Sequence, residues 1–194
     1  SGACPVPYND GQAICGIYLD PKAGSSSKTS SFAVALLIIR YDGRYYVADM
    51  ERERCGYTGT KRMLKRMRSR YPDAPIIYEN AADGRSFSTD EDFAASFENC
   101  KAVEVSGGNT LQRLDLISGH VQAGEVVVHD RFPGESKDSS RDHFMSELTG
   151  LPGAANDDIA DAFSVGIRDL RSRSRHVAPP QAPVRKRRNR PTMS

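Results

Sequence analysis

Apolar residues form short, nearly continuous runs in the first half of the chain, and most of these runs end at Gly, Pro, Asp or Asn. Runs over residues 12–20, 31–40 and 45–50 predict three strands, and Asp42-Gly43 predicts a tight hairpin between the second and the third. Further short runs predict strands over 75–79, 102–105 and 125–129. We expect the first three strands to be antiparallel, with the loop over residues 21–30 between the first two and the hairpin between the second and the third.

Helical periodicity separates the later strands. It predicts helices over residues 58–70, 90–99, 109–119, 138–149 and 156–171. Strands that alternate with helices are typical of parallel pairing. The chain therefore predicts an α/β fold, in which three antiparallel strands and then parallel strands form one mixed sheet with helices on both faces.

The last predicted helix combines a buried stripe with a cluster of carboxylates. Its apolar positions recur at i, i+4, i+7, i+8 and i+11: Ile159, Phe163, Gly166, Ile167 and Leu170. Asp158 and Asp161 lie beside that stripe, one turn apart. The first turn of a helix favours negative charge, and Asn156 or Asp157 could be the N-cap, but capping does not explain Asp161. A carboxylate at the edge of a core needs a cationic partner, so this stretch predicts a metal or substrate site.

Two more acids stand at the ends of predicted strands. Asp20 ends the first strand just before Pro21, and Glu79 ends the strand over 75–79. Each acid alone is also typical of a solvent-exposed strand end. Together with the pair on the last helix they form an all-oxygen ligand set, which suits Mg²⁺ and other hard divalent cations. Two such ions about 3.5–4 Å apart can hold the attacking and the leaving oxygens of a phosphodiester.

These acids belong to a longer series of motifs. The series consists of LDPKAG at 19–24, IYEN at 77–80, TLQR at 110–113, QAGEV at 122–126, FMSELTGLP at 144–152 and NDDIADA at 156–162. In this order the motifs resemble the nuclease domain of the terminase large subunit of tailed bacteriophages. The resemblance covers about residues 12–170 and rests on the order of the motifs, because no single one of them is specific.

The resemblance implies an RNase H-like fold and cleavage of concatemeric viral duplex DNA during genome packaging. It implies that Asp20 bridges two Mg²⁺ or Mn²⁺ ions, that Glu79 completes the shell of one ion, and that Asp158 completes the other. Asp161 would orient Asp158 or a metal-bound water, and Asp157 could take the place of Asp158 as a ligand. These five acids are the expected catalytic and metal-binding residues.

The partners are also implied by the resemblance. They are duplex DNA, the portal protein, the small terminase subunit and an ATPase domain that no segment of this chain matches, and the setting is the host cytoplasm. Two other functions remain open from the residues. One is another RNase H-like nuclease, such as a junction resolvase, and the other is a non-catalytic nucleic-acid or assembly module whose acids are surface charges.

Charge is distributed unevenly along the chain. The chain has 27 Lys and Arg against 25 Asp and Glu, but residues 171–194 hold eight of the basic residues and no acid. Residues 1–170 therefore carry 19 basic and 25 acidic residues, a net charge of −6. We expect an N-terminal extension over 1–11, a nuclease domain over 12–170 and a disordered, Pro-rich basic tail over 171–194, which binds either nucleic acid or a protein partner.

An acidic nuclease still has to attract DNA. The predicted helix over 58–70 carries a run of cations between apolar residues: Lys61, Arg62, Lys65 and Arg66. Its basic face would meet phosphate, although a merely solvated face explains the same pattern. Lys28 and Arg113 are further candidates for phosphate contacts. The four cysteines are widely spaced and have no His partner at zinc spacing, so we expect reduced thiols.

Overall fold

The computed structural model describes residues 6, 8, 11–21, 32–80, 87, 89–104, 108–134, 136–137 and 139–174. Within these residues, six strands form one sheet: β1 Ile14–Asp20, β2 Ala33–Tyr41, β3 Arg44–Glu53, β4 Ile76–Glu79, β5 Cys100–Val103 and β6 Val126–Val128. The helices of the same described segments are α1 Tyr57–Arg70, α2 Glu91–Ser96, α3 Thr110–Gln122, α4 Arg141–Gly150 and α5 Asp158–Ser174. Every predicted strand and helix is present, with ends that differ by a few residues.

The strand order is β5-β4-β1-β2-β3-β6. β1, β2 and β3 pair antiparallel, whereas β1 with β4, β4 with β5, and β3 with β6 pair parallel. The hairpin between β2 and β3 turns at Asp42 and Gly43, which both have a positive φ, as the Asp-Gly pair predicts. This mixed sheet confirms the predicted α/β class.

Two element boundaries differ from the predictions because strand pairing overrides local pattern. β3 continues through Glu51, Arg52 and Glu53, since these polar residues pair with the first residues of β2. β5 begins at Cys100, two residues before the predicted start, because Cys100 pairs with Ile76 of β4. The preceding helix α2 is correspondingly shorter than predicted.

Helices cover both faces of the sheet, as predicted. α1 and α2 pack on one face, where Met63, Leu64, Met67 and Phe93 join the core. α3, α4 and α5 pack on the other face, where Ile117, Phe144 and the whole predicted stripe of α5 are buried. None of the helices in the described segments is both long enough and apolar enough to cross a membrane.

The close approach of α5 to the sheet depends on one glycine. A Cβ atom built on Gly166 would lie 2.5 Å from Ile38 Cδ1 and 2.9 Å from Tyr18 Cδ2. Such distances are well inside van der Waals contact, so only Gly lets the helix axis come this near to β1 and β2. This packing sets the height of the acids at the start of α5 relative to the sheet edge.

Cys55 and Cys100 are free thiols, in agreement with the prediction for these two residues, and Cys4 lies outside the described part of the chain. Burial raises the pKa of Cys100 to about 11 and also raises the pKa of Cys55. These two thiols are therefore protonated at neutral pH.

Candidate active site

Asp20 and Glu79 lie at the same edge of the sheet. They end β1 and β4, which are parallel neighbours in a register that pairs Leu19 with Tyr78, the residues immediately before them. Side chains alternate between the faces of a strand. Tyr18 and Ile77, two residues earlier, both point into the core beneath α5. Asp20 and Glu79 therefore face α5 as well, at the end where that helix begins.

The first turn of α3 brings two polar side chains to the acids of the sheet edge and of α5. Asn109 and Gln112 form a capping box, in which the Asn109 side chain accepts from Gln112 N at 3.1 Å and the Gln112 side chain accepts from Asn109 N at 3.0 Å. This cap fixes the start of the helix. Thr110 and Arg113 are three positions apart, so they project from the same side of it.

Arg113 joins an acid of the sheet to an acid of α5. Its Nη1 donates to Glu79 Oε2 at 3.0 Å, and its Nη2 lies 2.8 Å from Asp161 Oδ1. The Thr110 hydroxyl lies 2.8 Å from Asp161 Oδ1 and 3.1 Å from Asp157 Oδ2, and it can donate to either oxygen. Glu79, Asp157 and Asp161 thus converge on one guanidinium and one hydroxyl. We call these five residues the Arg113 cluster.

The electrostatics of the cluster act most clearly on Asp161. Burial raises the pKa of Asp161, and the negative charges of Asp157 and Glu79 raise it further. The Thr110 hydrogen bond and the Arg113 charge oppose the rise without cancelling it. A cation placed among these three carboxylates would reduce their mutual repulsion.

Asp158, the first residue of α5, lies beside the start of β2. It is only 3% exposed, and its Oδ2 accepts a hydrogen bond from Phe32 N at 3.0 Å. Phe32 stands just before β2, and Asp20 pairs with Val34 of that strand. Across the sheet edge the acids therefore follow the strand order, with Glu79 on β4, Asp20 on β1 and Asp158 beside the start of β2.

A residue that sequence reasoning missed holds the start of α5. Glu147 of α4 accepts from Ile159 N at 2.6 Å and from Ala160 N at 3.2 Å, and Arg52 Nη2 lies 3.3 Å from its Oε2. Burial raises the pKa of Glu147 above its ordinary value. A single acid within a helix resembles any solvated side chain in sequence, so no local signal identifies this cap.

The carboxylates suit a hard divalent cation by their chemistry. All of the donors are oxygens, and two of them, Glu79 Oε2 and Asp161 Oδ1, already converge on a shared cation, the guanidinium of Arg113. Among the residues that the structure describes, no three Asp, Glu, His or Cys side chains form a metal-binding group as they stand. The donor set fits such an ion in type, with Arg113 between two of its members.

The predicted DNA-binding cations of α1 do not lie at the acidic edge of the sheet. α1 packs on the sheet face opposite α3 and α5, so the structure does not bring these cations to the acids. Arg66 contacts Glu51 at 2.8 Å and Glu53 at 3.0 Å, and Lys61 lies 3.6 Å from Asp90. Lys65 is exposed.

Arg62 is the remaining predicted cation on α1. Its side chain is 67% exposed and stands 3.8 Å from Glu53. Arg66 and Lys61 have acids opposite them, which come from β3 and from the residue that caps α2. The DNA-binding role of the α1 cations stays a prediction. Lys28 and residues 175–194 of the predicted tail lie outside the described residues.

Comparison with solved structures identifies the fold. The large terminase nuclease of thermophilic phage G20c with bound zinc is similar at a TM-score of 0.52 and 16% identity, over 81% of this chain and 82% of that chain. The human cytomegalovirus terminase nuclease domain, Mn soaked, is similar at a TM-score of 0.47 and 13% identity, over 78% of this chain and 80% of that chain. The large terminase of a second thermophilic bacteriophage matches at 0.45 and 12%, over 66% of this chain and 31% of that chain.

No protein-family model and no curated protein sequence matches the chain. At these identities the likeness concerns the fold and not the chemistry. The first comparison extends over most of both chains, and the mixed sheet with helices on both faces agrees with it. The chain has the RNase H-like fold of large-terminase nuclease domains.

Proposed function

We propose that this protein is a metal-dependent DNA endonuclease that cuts concatemeric viral duplex DNA during genome packaging, as the nuclease part of a terminase large subunit. One observation carries the proposal. Acids from β1, β4 and the first turn of α5 meet at one edge of a sheet with the terminase-nuclease fold. An exposed strand end has no need of such convergence.

Each acid has a role that follows from its position. Asp20 stands between Glu79 and Asp158 in the strand order, so it is the acid that would hold both ions. Glu79 would hold the ion on the β4 side, and Asp158, which accepts from Phe32 N through one oxygen, would hold the ion on the β2 side. Thr110 can donate to Asp157 or Asp161 and so helps to orient these two acids beside Glu79. When bound, two Mg²⁺ or Mn²⁺ ions supply an activated water and stabilise the leaving oxygen.

The remaining partners follow from the same assignment. Duplex DNA is the substrate, and Arg113 and Lys28 are the proposed phosphate contacts. The portal protein, the small terminase subunit and an ATPase domain complete the packaging machine. The domain described here would cut DNA, and the pumping of DNA would require the ATPase.

Plasmid digestion tests the proposal. The purified chain should cleave supercoiled and linear duplex in Mg²⁺ or Mn²⁺ but not in EDTA. Asp20→Asn, Glu79→Gln and Asp158→Asn should each lower the rate at least about a hundredfold, because each removes a ligand charge without changing shape. Asp115→Asn is the matched control, since Asp115 is an exposed acid on α3.

Two outcomes would contradict the proposal. Metal-independent cleavage, or wild-type rates in the Asp20→Asn variant, would remove the acids from the mechanism. Strong preference for a four-way junction over linear duplex would instead favour the junction-resolvase alternative on the same fold.

A further inference from the structure

Arg113 is held in a way that makes it a resident substitute for a metal ion. It is 8% exposed, and its two terminal nitrogens contact Glu79 of the sheet and Asp161 of α5. Its buried Nε has no hydrogen-bond partner within the described part of the chain. The guanidinium is therefore positioned chiefly by the two carboxylates and not by a surrounding hydrogen-bond network.

A guanidinium and a divalent cation compete for the same oxygens. Glu79 is a proposed ligand, and Asp161 stands on the turn that carries Asp158. A carboxylate that accepts from Arg113 at 3.0 Å places a positive charge beside any ion that it binds, and two cations this close repel each other strongly in a partly buried site. Glu79 is therefore a weaker ligand while Arg113 stays in place.

We infer that Arg113 is the counter-cation that holds the acidic edge together in the metal-free protein and restrains metal loading until it moves. The inference rests on the proposed function and adds a means of control to it. With Arg113 in place the carboxylates are neutralised in part, so their mutual repulsion is lower when no ion is bound. Once Arg113 withdraws, the full negative charge of Glu79, Asp157 and Asp161 is available to the ion.

Arg113 can leave the acids by a rotation of its side chain alone. Arg113 sits in the first turn of a helix whose backbone is fixed by the Asn109 cap, so only the side chain needs to rotate. Thr110 does not contact Arg113, and its hydroxyl can still donate to Asp157 or Asp161 after the guanidinium leaves. The backbone of α3 and the Thr110 hydroxyl therefore stay in place while the cation between the acids is exchanged.

Mn²⁺ binding measured by calorimetry, without DNA, tests the inference apart from activity. Arg113→Gln should bind Mn²⁺ about tenfold more tightly than the wild type, because it removes the competing charge and keeps a polar side chain. The variant should also melt at a lower temperature without metal and show a larger rise in melting temperature with Mn²⁺. A residue that merely supports the structure would weaken metal binding when removed.

Two further variants make the result decisive. Arg171→Gln makes the same charge change at the far end of α5, about 20 Å from Asp158 by helical rise, and should leave Mn²⁺ affinity unchanged. Arg113→Lys keeps the charge but lacks the planar fork that reaches two carboxylates, so it should bind Mn²⁺ more tightly than the wild type by less than about tenfold. If Arg113→Gln does not fold, Arg113→Lys alone decides.

The outcomes separate this inference from the proposed function. Wild-type binding of Mn²⁺ with unchanged or weaker binding in the Arg113 variants overturns the inference and leaves the nuclease proposal standing. Absence of Mn²⁺ binding at millimolar concentration in the wild type and in both variants counts against the nuclease proposal itself.

Discussion

Glu147 Oε1 lies 2.6 Å from the backbone nitrogen of Ile159, so a side chain of α4 caps the helix that carries the α5 acids. The same oxygen accepts from Ala160 N. The first amides of a helix have no partner within the helix, and a buried helix start without a cap would be costly. Glu147 thus fixes the start of α5 at the sheet edge.

Removing this cap should destabilise the protein. We expect Glu147→Ala to lower the free energy of unfolding by about 1–3 kcal/mol, since two buried amides lose their acceptor. Glu147→Gln keeps an acceptor oxygen and should lose much less near neutral pH. Urea unfolding measures both, with Glu98→Ala, an exposed acid, as the control. Equal losses in the Ala and Gln variants would contradict the capping role.

The pH dependence of stability provides a separate test of Glu147. Burial raises the pKa of Glu147 above its ordinary value of 4.5, so the folded protein retains a proton at a pH where the unfolded chain has released it. Stability from this group is greatest below about pH 4.5 and falls as the pH rises through the raised pKa. Gln cannot ionise. The free energy of unfolding of Glu147→Gln relative to the wild type should therefore increase with pH over that window.

Urea unfolding at intervals between about pH 4 and pH 7 measures this difference. The other described acids with raised pKa values, Asp49 and Asp161, are present in both proteins, so their contributions cancel. A difference that stays constant with pH would show that Glu147 has no raised pKa.

Substitutions of Asp158 separate its structural role from its proposed metal-binding role. Asp158→Asn can still accept from Phe32 N, so we expect a change in unfolding free energy within about 1 kcal/mol, together with loss of Mn²⁺ binding and cleavage. Asp158→Ala should lose both stability, by about 1–3 kcal/mol, and activity. Unfolding and cleavage are measured on the same preparations.

Asp157→Asn serves as the comparison for Asp158. Thr110 can still donate to Asp161 in this variant, so cleavage should stay within about tenfold of the wild type, a loss of at most about 1.4 kcal/mol. Loss of cleavage in Asp157→Asn with activity retained in Asp158→Asn would assign the third ligand to Asp157.

The approach of α5 to the sheet predicts opposite effects for two glycines. Gly166→Ala should lower the free energy of unfolding by about 1–3 kcal/mol, because the added methyl meets Ile38 and Tyr18. Gly119→Ala is the control, since no atom lies within 4 Å of its built Cβ in α3, and it should raise stability by about 0.5–1 kcal/mol. Thermal unfolding of the two variants checks the signs. Two changes of the same sign would contradict this account of Gly166.

The cations of α1 should contribute to stability in proportion to their burial. Arg70 donates to Asp49, which is fully buried, and to Glu51. Arg70→Gln should cost about 3 kcal/mol of unfolding free energy, because a buried carboxylate loses its charge partner. Arg62→Gln, at an exposed position, should change stability by less than about 0.5 kcal/mol. Similar effects of the two substitutions in urea unfolding would show that the β3 acids do not depend on Arg70.

Some features of the site could be predicted because they are local. An acid that ends an apolar run, such as Asp20 or Glu79, is visible in sequence, and so is the spacing of Asp158 and Asp161. The partners of these acids are not local. Arg113 is 34 residues from Glu79, and Glu147 is 12 residues from Ile159 across a loop, so their contacts depend on how the helices pack.

The cations of α1 show the opposite case. Their spacing correctly predicts a helix with one apolar and one basic side. It does not show that Asp49, Glu51 and Glu53 of β3 stand opposite that basic side, because alternating acids in a strand look the same when they face solvent. An exposed basic face and a structural ion-pair network have the same sequence pattern.

The sequence by itself determined the order and type of the strands and helices, since hydrophobic periodicity and turn residues act over a few positions. It also determined which acids stand at strand and helix ends. Only the tertiary structure decided that these acids share one edge, that Arg113 lies between two of them, and that the α1 cations lie on the other face. Those relationships depend on strand order and helix packing, which join residues far apart in the chain.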